Sequence, residues 1–364
     1  MTAKHGDIIV DGGVAWRVVD SRINGYIADN PNFYERSGLF VPNKTTITTP
    51  DKMLININNH GYIGSSVTIN LNSASSWDAA NTTYATLANR AGKDFYIYVV
   101  EQDGDVPKFL LSTHTTCPYE YTETNSRKVG GFHCLCASVG TISGHTLSGY
   151  YAGEILPLSV WDLKHRPVSE PEGMVYIAGL GKWYDIYLNS WDGLKLVSKY
   201  GGTTADGSSS PTWHGEKFAE KLGEIAKSLP SRNEFMVFAK GSNEKTAISG
   251  SKDWGTTGGH VDTANRRMIS NYGLEDCCGF LIQWTSDTYT QQSGSWGTGS
   301  VYSSSVDSQE YGSSYGNTYR ALVGGSWYDS SRCGSRYVYF DHYSSHVSAY
   351  YGARGSSEPL KYVQ

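Results

Sequence analysis

Short runs of alternating apolar and polar residues, separated by clusters of Asn, Gly and Asp, constrain the fold of this chain most. Val67, Ile69 and Leu71 alternate with polar residues, and Phe95–Val100 is another short apolar run. Alternation with a period of two places one set of side chains on the buried face of a strand. Many short strands with regular turn signals are typical of a β-sandwich.

Helical spacing is strongest in residues 214–229. Phe218, Leu222, Ile225 and Leu229 fall on one stripe, as they do in an amphipathic helix. This stretch predicts the first helix of the chain.

A second helix is predicted directly after the first. Ser231 and Glu234 have the spacing of a capping box, and Gly241 is placed to end the helix. Only 18% of the residues are charged, while Gly and Tyr number 41 and 27, a composition that disfavours a helical bundle. Two helices followed by a loop-rich β region predict an α+β fold.

The length predicts two or three domains, since a domain takes roughly 100–200 residues. Residues 1–38 are predicted to form an N-terminal hairpin and a linker, because Asp11-Gly12-Gly13 has turn chemistry and the stretch 21–38 is polar. We expect a β-sandwich domain over 39–150 and the α+β domain over 151–364.

The net charge and the hydropathy pattern limit the classes of partner that this chain can bind. A net charge of −5 and a pI near 6.1 argue against nucleic acid, because there is no basic surplus to displace counterions. The longest near-continuous apolar run, Phe95–Val100, is too short to cross a bilayer. Met1–Val10 lacks the apolar core of a secretory signal. We expect no nucleic-acid partner and no membrane insertion.

Two groups of reactive side chains are candidates for chemistry. Cys117 with His133, Cys134 and Cys136 could ligate zinc or could be alternating strand residues, and C-x-C lacks the usual ligand spacing. The run Glu275-Asp276-Cys277-Cys278 could be a metal or catalytic site, or a buried turn with capping carboxylates. The sequence contains no phosphate-binding, metalloprotease or nucleophile-elbow motif. We therefore expect no metal, no cofactor and no enzymatic activity.

The segment Ser326–Ser357 differs in composition from the rest of the chain. Its 32 residues hold nine Ser and six Tyr, and no Lys, Glu, Gln or Met. Val338 and Phe340 alternate with Tyr337, Tyr339 and Asp341, and a second alternation runs over 346–350, so each run is predicted to send polar and aromatic groups to one side. Tyr offers a large contact area with few torsions to freeze. The pattern predicts an exposed ligand-binding face, or alternatively a face packed on a neighbouring subunit.

Blocks around this segment resemble the framework of the variable proteins of diversity-generating retroelements, a family that includes phage tropism determinants. They are Gly324–Trp327, Gly334–Arg336 and Gly352–Gly355. Further matching blocks lie upstream, at RKVGGF (127–132), WDLKHRP (161–167), GMVYIAG (173–179), WYDIYL (183–188) and LPSRNEF (229–235). Randomising the first two bases of an AAC or AAT codon yields Tyr, Ser, Asp and His but never Lys, Glu, Gln or Met, which agrees with the resemblance.

The resemblance implies a C-terminal C-type lectin fold of the formylglycine-generating-enzyme type, preceded by an Ig-like all-β sandwich, in a homotrimer. It also implies adenine-directed diversification of a variable region at about 324–357. Carried over by position, the ligand-binding variable residues are Ser326, Tyr328, Asp329, Ser330, Arg332, Tyr339, Asp341, His342, His346, Ser348, Tyr350 and Tyr351. Tyr337 and Tyr343 are added for their chemistry alone.

The expected function is that of a viral receptor-binding, tropism-determining protein at the tail-fibre tip of the virion, which binds a host-surface protein or glycan. The alternative is a variable ligand-binding protein of a cellular retroelement, displayed on a cell surface. Enzymes with the same fold use two cysteines after the GGS motif as copper ligands, whereas Asp329 and Gly334 stand at those positions here. A copper–thiolate site needs both sulfurs. The sequence therefore argues against an enzyme of this type.

Overall fold

The computed structural model describes ten stretches of the chain. They are residues 8–11, 14–17, 40–49, 53–57, 60–64, 66–102, 108–290, 296–300, 311–315 and 318–360. The fold in these stretches is mostly β, with two α-helices, as the sequence predicts for an α+β chain. No helix in them is long and apolar enough to cross a membrane. Contacts divide the chain into two units, the first with 1–138, 150–166 and 360–364, the second with 139–149 and 167–359.

The first unit is built from short antiparallel strands and single 3₁₀ turns. Its strands are β1 (Ile8–Asp11), β2 (Val14–Arg17), β3 (Val41–Pro42), β4 (Thr46–Thr48), β5 (Met53–Ile57), β6 (His60–Gly64), β7 (Thr68–Asn70), β8 (Asp94–Val100), β9 (Lys108–Ser112), β10 (Ser126–His133) and β11 (Trp161–Asp162). The largest sheet has the order β11-β10-β8-β9, and a second has the order β3-β4-β7.

The core of the first unit lies around β8, whose residues Phe95–Val100 are all buried. Ile69 and Leu71 are also buried, so the predicted alternation near β7 is confirmed. The predicted N-terminal hairpin is confirmed by the pairing of β1 with β2, from Ile8 opposite Arg17 to Asp11 opposite Val14. The glycines of its turn and the predicted linker at 21–38 lie outside the described residues.

Residues 150–166 pack with the first unit because β11 adds to the edge of its largest sheet. Trp161 and Asp162 pair with Gly131 and Gly130 of β10. The contacts assign residues 139–149 to the second unit and residues 150–166 to the first. The two units are therefore not separated by the single boundary at residue 150 that the sequence predicts.

The second unit holds the remaining elements. They are β12 (Met174–Ile177), β13 (Lys182–Asp185), β14 (Asn189–Trp191), β15 (Leu196–Ser198), α1 (Gly215–Gly223), α2 (Arg232–Phe238), β16 (Ile282–Thr290), β17 (Trp296–Ser300), β18 (Tyr311–Tyr315), β19 (Thr318–Gly324), β20 (Gly334–Tyr339), β21 (Tyr351–Gly352) and β22 (Ser356–Ser357). The main sheet has the order β20-β19-β16-β21, and β22 joins β12 and β13 in a second sheet.

The first helix is shorter than the predicted span 214–229. It ends at Gly223, and Ala226 takes a left-handed backbone with φ of +57°. Two backbone hydrogen bonds of 2.8 Å then join Ser228 to Ser356. Residues 224–229 therefore do not continue the helix, because Ser228 pairs with the C-terminal part of the chain instead.

The second helix begins as the sequence predicts. The Ser231 hydroxyl accepts a hydrogen bond from the Glu234 backbone N–H, and the Glu234 carboxylate accepts one from the Ser231 N–H. These bonds satisfy backbone donors that the first helical turn leaves without partners.

Candidate functional site

A tight turn opens the Tyr-rich segment. Gly324 and Gly325 have φ of +93° and +79°, a conformation that favours glycine. A Cβ atom on Gly325 would lie within 2.9 Å of backbone atoms of Arg332 and Cys333. The Trp327 N–H donates to the Phe280 carbonyl at 2.7 Å. The block Gly324–Trp327 is therefore fixed by its backbone and presents the residues that follow.

The structure places the fourteen predicted site residues at three depths. Those exposed are Tyr328, Ser330, Arg332, Asp341, Tyr343 and His346. Those half-buried are Tyr337, Tyr339, His342, Ser348 and Tyr350. Those buried are Ser326, Asp329 and Tyr351.

The three buried residues do not fit the prediction that they contact a ligand directly. Ser326 donates its backbone N–H and its hydroxyl to Asp329, and these bonds turn both side chains inwards. Tyr351 begins β21, pairs with Ile282 of β16, and packs edge-on against Trp284 at 5.4 Å between ring centroids. Each of the three therefore supports the surface from beneath.

The predicted alternation along this segment is also wrong in part. Strand β20 ends at Tyr339, so Phe340 is 45% exposed instead of facing inwards. Residues 346–350 do not form a strand, and Val347 is 45% exposed. The Gly207 N–H donates to the Ser348 carbonyl at 3.0 Å, and the Ile282 N–H of β16 donates to the Tyr350 carbonyl at 2.8 Å, so this stretch is held by a neighbouring loop and by the strand edge at its end.

Trp327, Tyr328 and Tyr350 form one cluster of rings, which we call the indole group. The Trp327 and Tyr350 centroids are 5.0 Å apart, and Tyr328 lies 6.0 Å from Trp327 and 5.9 Å from Tyr350. Tyr328 is 69% exposed, the most exposed aromatic residue of the segment. The group offers a rigid aromatic surface to solvent, the kind of surface that serves as an anchor in interfaces.

Tyr339, His342, His346 and Tyr351 form a second cluster, which we call the histidine group. The rings of His342 and His346 lie 4.8 Å apart, and Tyr351 contacts both at 5.3 and 5.6 Å. Burial lowers the pKa of His346, and the charge of His342 lowers it further. The lowered pKa favours a neutral His346 imidazole, which can both donate and accept hydrogen bonds.

A third cluster, the tyrosine stack, contains residues that the sequence analysis did not select. Tyr289 stacks on Tyr319 at 5.4 Å, and Tyr319 stacks on Tyr343 at 4.8 Å. Phe340 meets Tyr289 edge-on at 5.2 Å, and burial raises the pKa of Tyr289 to about 12. Tyr289 and Tyr319 lie within the Gly-, Ser- and Tyr-rich stretch 285–319, 30 positions apart, and the pairing of β16 with β19 brings them together.

The run Glu275–Cys278 forms part of a buried ion-pair cluster. Arg267 donates to both carboxylate oxygens of Glu275, at 2.7 and 2.9 Å. His260 Nδ1 lies 2.9 Å from an Asp276 oxygen that also accepts the Gly258 N–H at 2.7 Å. The carboxylates therefore cap backbone and pair with cations, in agreement with the buried-turn interpretation.

This cluster predicts a pH dependence of stability. Burial lowers the pKa of His260, but the charge and hydrogen bond of Asp276 and the charge of Glu275 together outweigh burial, so the pKa rises above the ordinary value of 6.5. Stability from a raised pKa is complete below 6.5 and is lost as the pH rises through the folded-state pKa. We expect the free energy of unfolding to fall as the pH rises above about 6.5 and through the raised pKa of His260, and His260→Gln to remove this fall.

Urea unfolding at several pH values measures this effect. His114→Gln is the matched control, because His114 is exposed, and it should keep the wild-type slope. An unchanged slope in His260→Gln would contradict the assignment.

Burial raises the pKa of the Cys134 thiol well above its ordinary value, so this side chain stays protonated. Cys134 and Cys136 are buried, and His133 Nδ1 lies 3.0 Å from Asp94. Burial raises the pKa of Cys333 to about 12, and its Sγ lies 3.3 Å from the Ser326 carbonyl. No set of three or more His, Cys, Asp or Glu within the described stretches is placed to hold a metal ion.

Comparisons with known proteins agree with this picture. A family model described as the Mtd second domain matches residues 44–162. The tail fiber receptor-binding protein of Bordetella phage BPP-1 is 33% identical over 311 residues, which is 77% of this chain and 75% of that protein. The M1 and I1 variants of the Major Tropism Determinant are each 27% identical in alignments covering 99% of this chain and 96% of theirs, with TM-scores of 0.70 and 0.69. The chain therefore belongs to the family of the Major Tropism Determinant.

Proposed function

We propose that the chain is a receptor-binding protein of a phage tail fibre, which determines host tropism through the surface formed by the indole and histidine groups. The single observation that carries the proposal is the exposed ring cluster of Trp327, Tyr328 and Tyr350 on a backbone-fixed turn. A relative whose name states receptor binding is 33% identical to this chain over 311 aligned residues. The protein acts by binding and catalyses no reaction.

The chemistry of the surface suits a host-surface protein or glycan. Tyr and Trp rings supply rigid contact area, while Ser330, Asp341 and His346 add exposed hydrogen-bonding groups. Such a mixture tolerates exchange of individual side chains, because the backbone and the buried residues hold the surface in place. This is the property that a diversified region needs.

The second unit is a C-type lectin domain of the formylglycine-generating-enzyme type, and the first unit contains an Ig-like sandwich. The two helices, the sheet β20-β19-β16-β21 and the framework blocks support this interpretation of the second unit. The chain acts as a homotrimer, in which three faces bind at once. Linked sites raise the overall affinity without new contacts.

A competition experiment tests the proposal. The purified full chain, added to cells of the strain on which the parent phage grows, is expected to block phage adsorption in a dose-dependent way. The same chain after heat denaturation is the control and should leave adsorption unchanged. Adsorption that persists at saturating concentrations of the native chain would contradict the proposed function.

A further inference from the structure

We propose that Asp329 is a positioning residue of this surface, whose buried carboxylate fixes the turn Ser326–Asp329 and the phenol of Tyr339 together. The inference rests on the proposed function, because the surface held in place is the one offered to the receptor. Asp329 is only 7% exposed, so its effect on binding is exerted through its neighbours.

The two oxygens of the Asp329 carboxylate accept hydrogen bonds from different residues. Oδ2 accepts hydrogen bonds from the Ser326 N–H at 2.7 Å and the Ser326 hydroxyl at 2.6 Å. Oδ1 accepts the Tyr339 hydroxyl at 2.9 Å. An ionised carboxylate is an acceptor at both oxygens, and bonds to a charged acceptor are shorter and stronger than neutral ones. No neutral side chain of similar size offers the same two-sided acceptor.

The residues bound to the two oxygens of Asp329 belong to different parts of the surface. The turn bears Trp327 and Tyr328 of the indole group. Tyr339 belongs to the histidine group, where its ring lies 6.3 Å from His342. The carboxylate therefore couples the two groups, and a change at position 329 alters the placement of both.

This coupling has a consequence for specificity. Groups that share one hydrogen-bond network do not contribute independently to stability or binding. Arg332 approaches Oδ1 only at 3.7 Å and its side chain is 63% exposed, so this pair adds little to holding the carboxylate. We therefore expect the effects of residues 326, 329 and 339 on binding to depend on one another. Asp329 can position the surface only when residues 326 and 339 carry hydrogen-bond donors.

A titration that needs no receptor tests the contact directly. Burial raises the pKa of the Tyr339 phenol, and its hydrogen bonds with Tyr337 and Asp329 raise it further. NMR of the full chain with ring-labelled tyrosine, assigned with Tyr339→Phe, follows this pKa. We expect Asp329→Asn to lower it, and Asp341→Asn, which removes an exposed carboxylate from the same segment, to leave it in place. A Tyr339 pKa unchanged by Asp329→Asn overturns the proposal, since a residue that merely fills space would not move it.

Binding to cells of the susceptible strain tests the coupling. Asp329→Asn and Tyr339→Phe are each expected to weaken binding about tenfold, as loss of a charge-assisted hydrogen bond does. The double variant should bind no more than about tenfold worse than wild type, because both changes break the same contact. Multiplicative losses would overturn the coupling. Failure of the wild-type chain to bind cells would overturn the proposed function instead, and the titration would still decide the role of Asp329.

Discussion

Replacing Tyr328 and Tyr350 together by alanine is expected to reduce binding to host cells on the order of 1000-fold, because tyrosines at the centre of an interface are often worth about 2 kcal/mol each and about 1.4 kcal/mol is a factor of ten. Tyr328 is 69% exposed and Tyr350 half-buried. The change removes two of the three rings of the indole group. We expect the free energy of unfolding to fall by about 1–2 kcal/mol, because the Tyr350 ring packs against the core of the second unit while the Tyr328 ring is exposed.

The control for this variant is a second pair of exposed tyrosines on the first unit. Tyr119 is 50% and Tyr151 61% exposed, and their double replacement by alanine deletes the same atoms elsewhere. Flow cytometry with labelled protein measures binding, and urea unfolding measures stability for both variants. Equal loss of binding in both double variants, or none in Tyr328→Ala/Tyr350→Ala, would contradict the location of the binding surface.

Replacing Arg354 by methionine is expected to destabilise the second unit by about 4 kcal/mol, because buried acceptors would lose their donor. The guanidinium is 1% exposed and donates to the Gln283 side chain at 2.8 Å. It also donates to the backbone carbonyls of Asp185, Ile186 and Glu275, at 2.8, 2.9 and 2.6 Å. One side chain thus joins three separate parts of the unit.

Thermal and urea unfolding measure this loss. Arg336→Met is the matched control, because Arg336 is an exposed residue of β20 in another framework block, and we expect a change of less than about 0.5 kcal/mol. A loss below about 1 kcal/mol in Arg354→Met would mean that the carbonyls find other donors.

Local signals in the sequence predicted local structure well. Ser231 and Glu234 predicted where α2 begins, because a capping box acts within one turn. The stripe of Phe218 and Leu222 predicted the buried face of α1 but not its end, since the bonds from Ser228 to Ser356 come from a distant part of the chain.

The candidate site was harder to predict for a physical reason. Alternation reveals a strand only when its two faces differ in polarity, and a segment rich in Tyr, Ser and His has little such difference. The composition identified the surface, while the outward orientation of Phe340 depends on its contact with Tyr289. The inward orientation of Asp329 depends on hydrogen bonds within the turn, and these leave no periodic signal.

The residues that close the second unit come after the fourteen proposed site residues, the last of which is Tyr351. Arg354 and β22 follow Tyr351, and β22 pairs with β13, far earlier in the chain. A ribosome must therefore translate the whole segment 326–351 in frame before these closing contacts can form. A frameshift or truncation within 326–351 would yield a polypeptide without them, which chaperones and proteases would remove before assembly. The order of the chain thus makes complete translation of the proposed site a condition for closing the second unit.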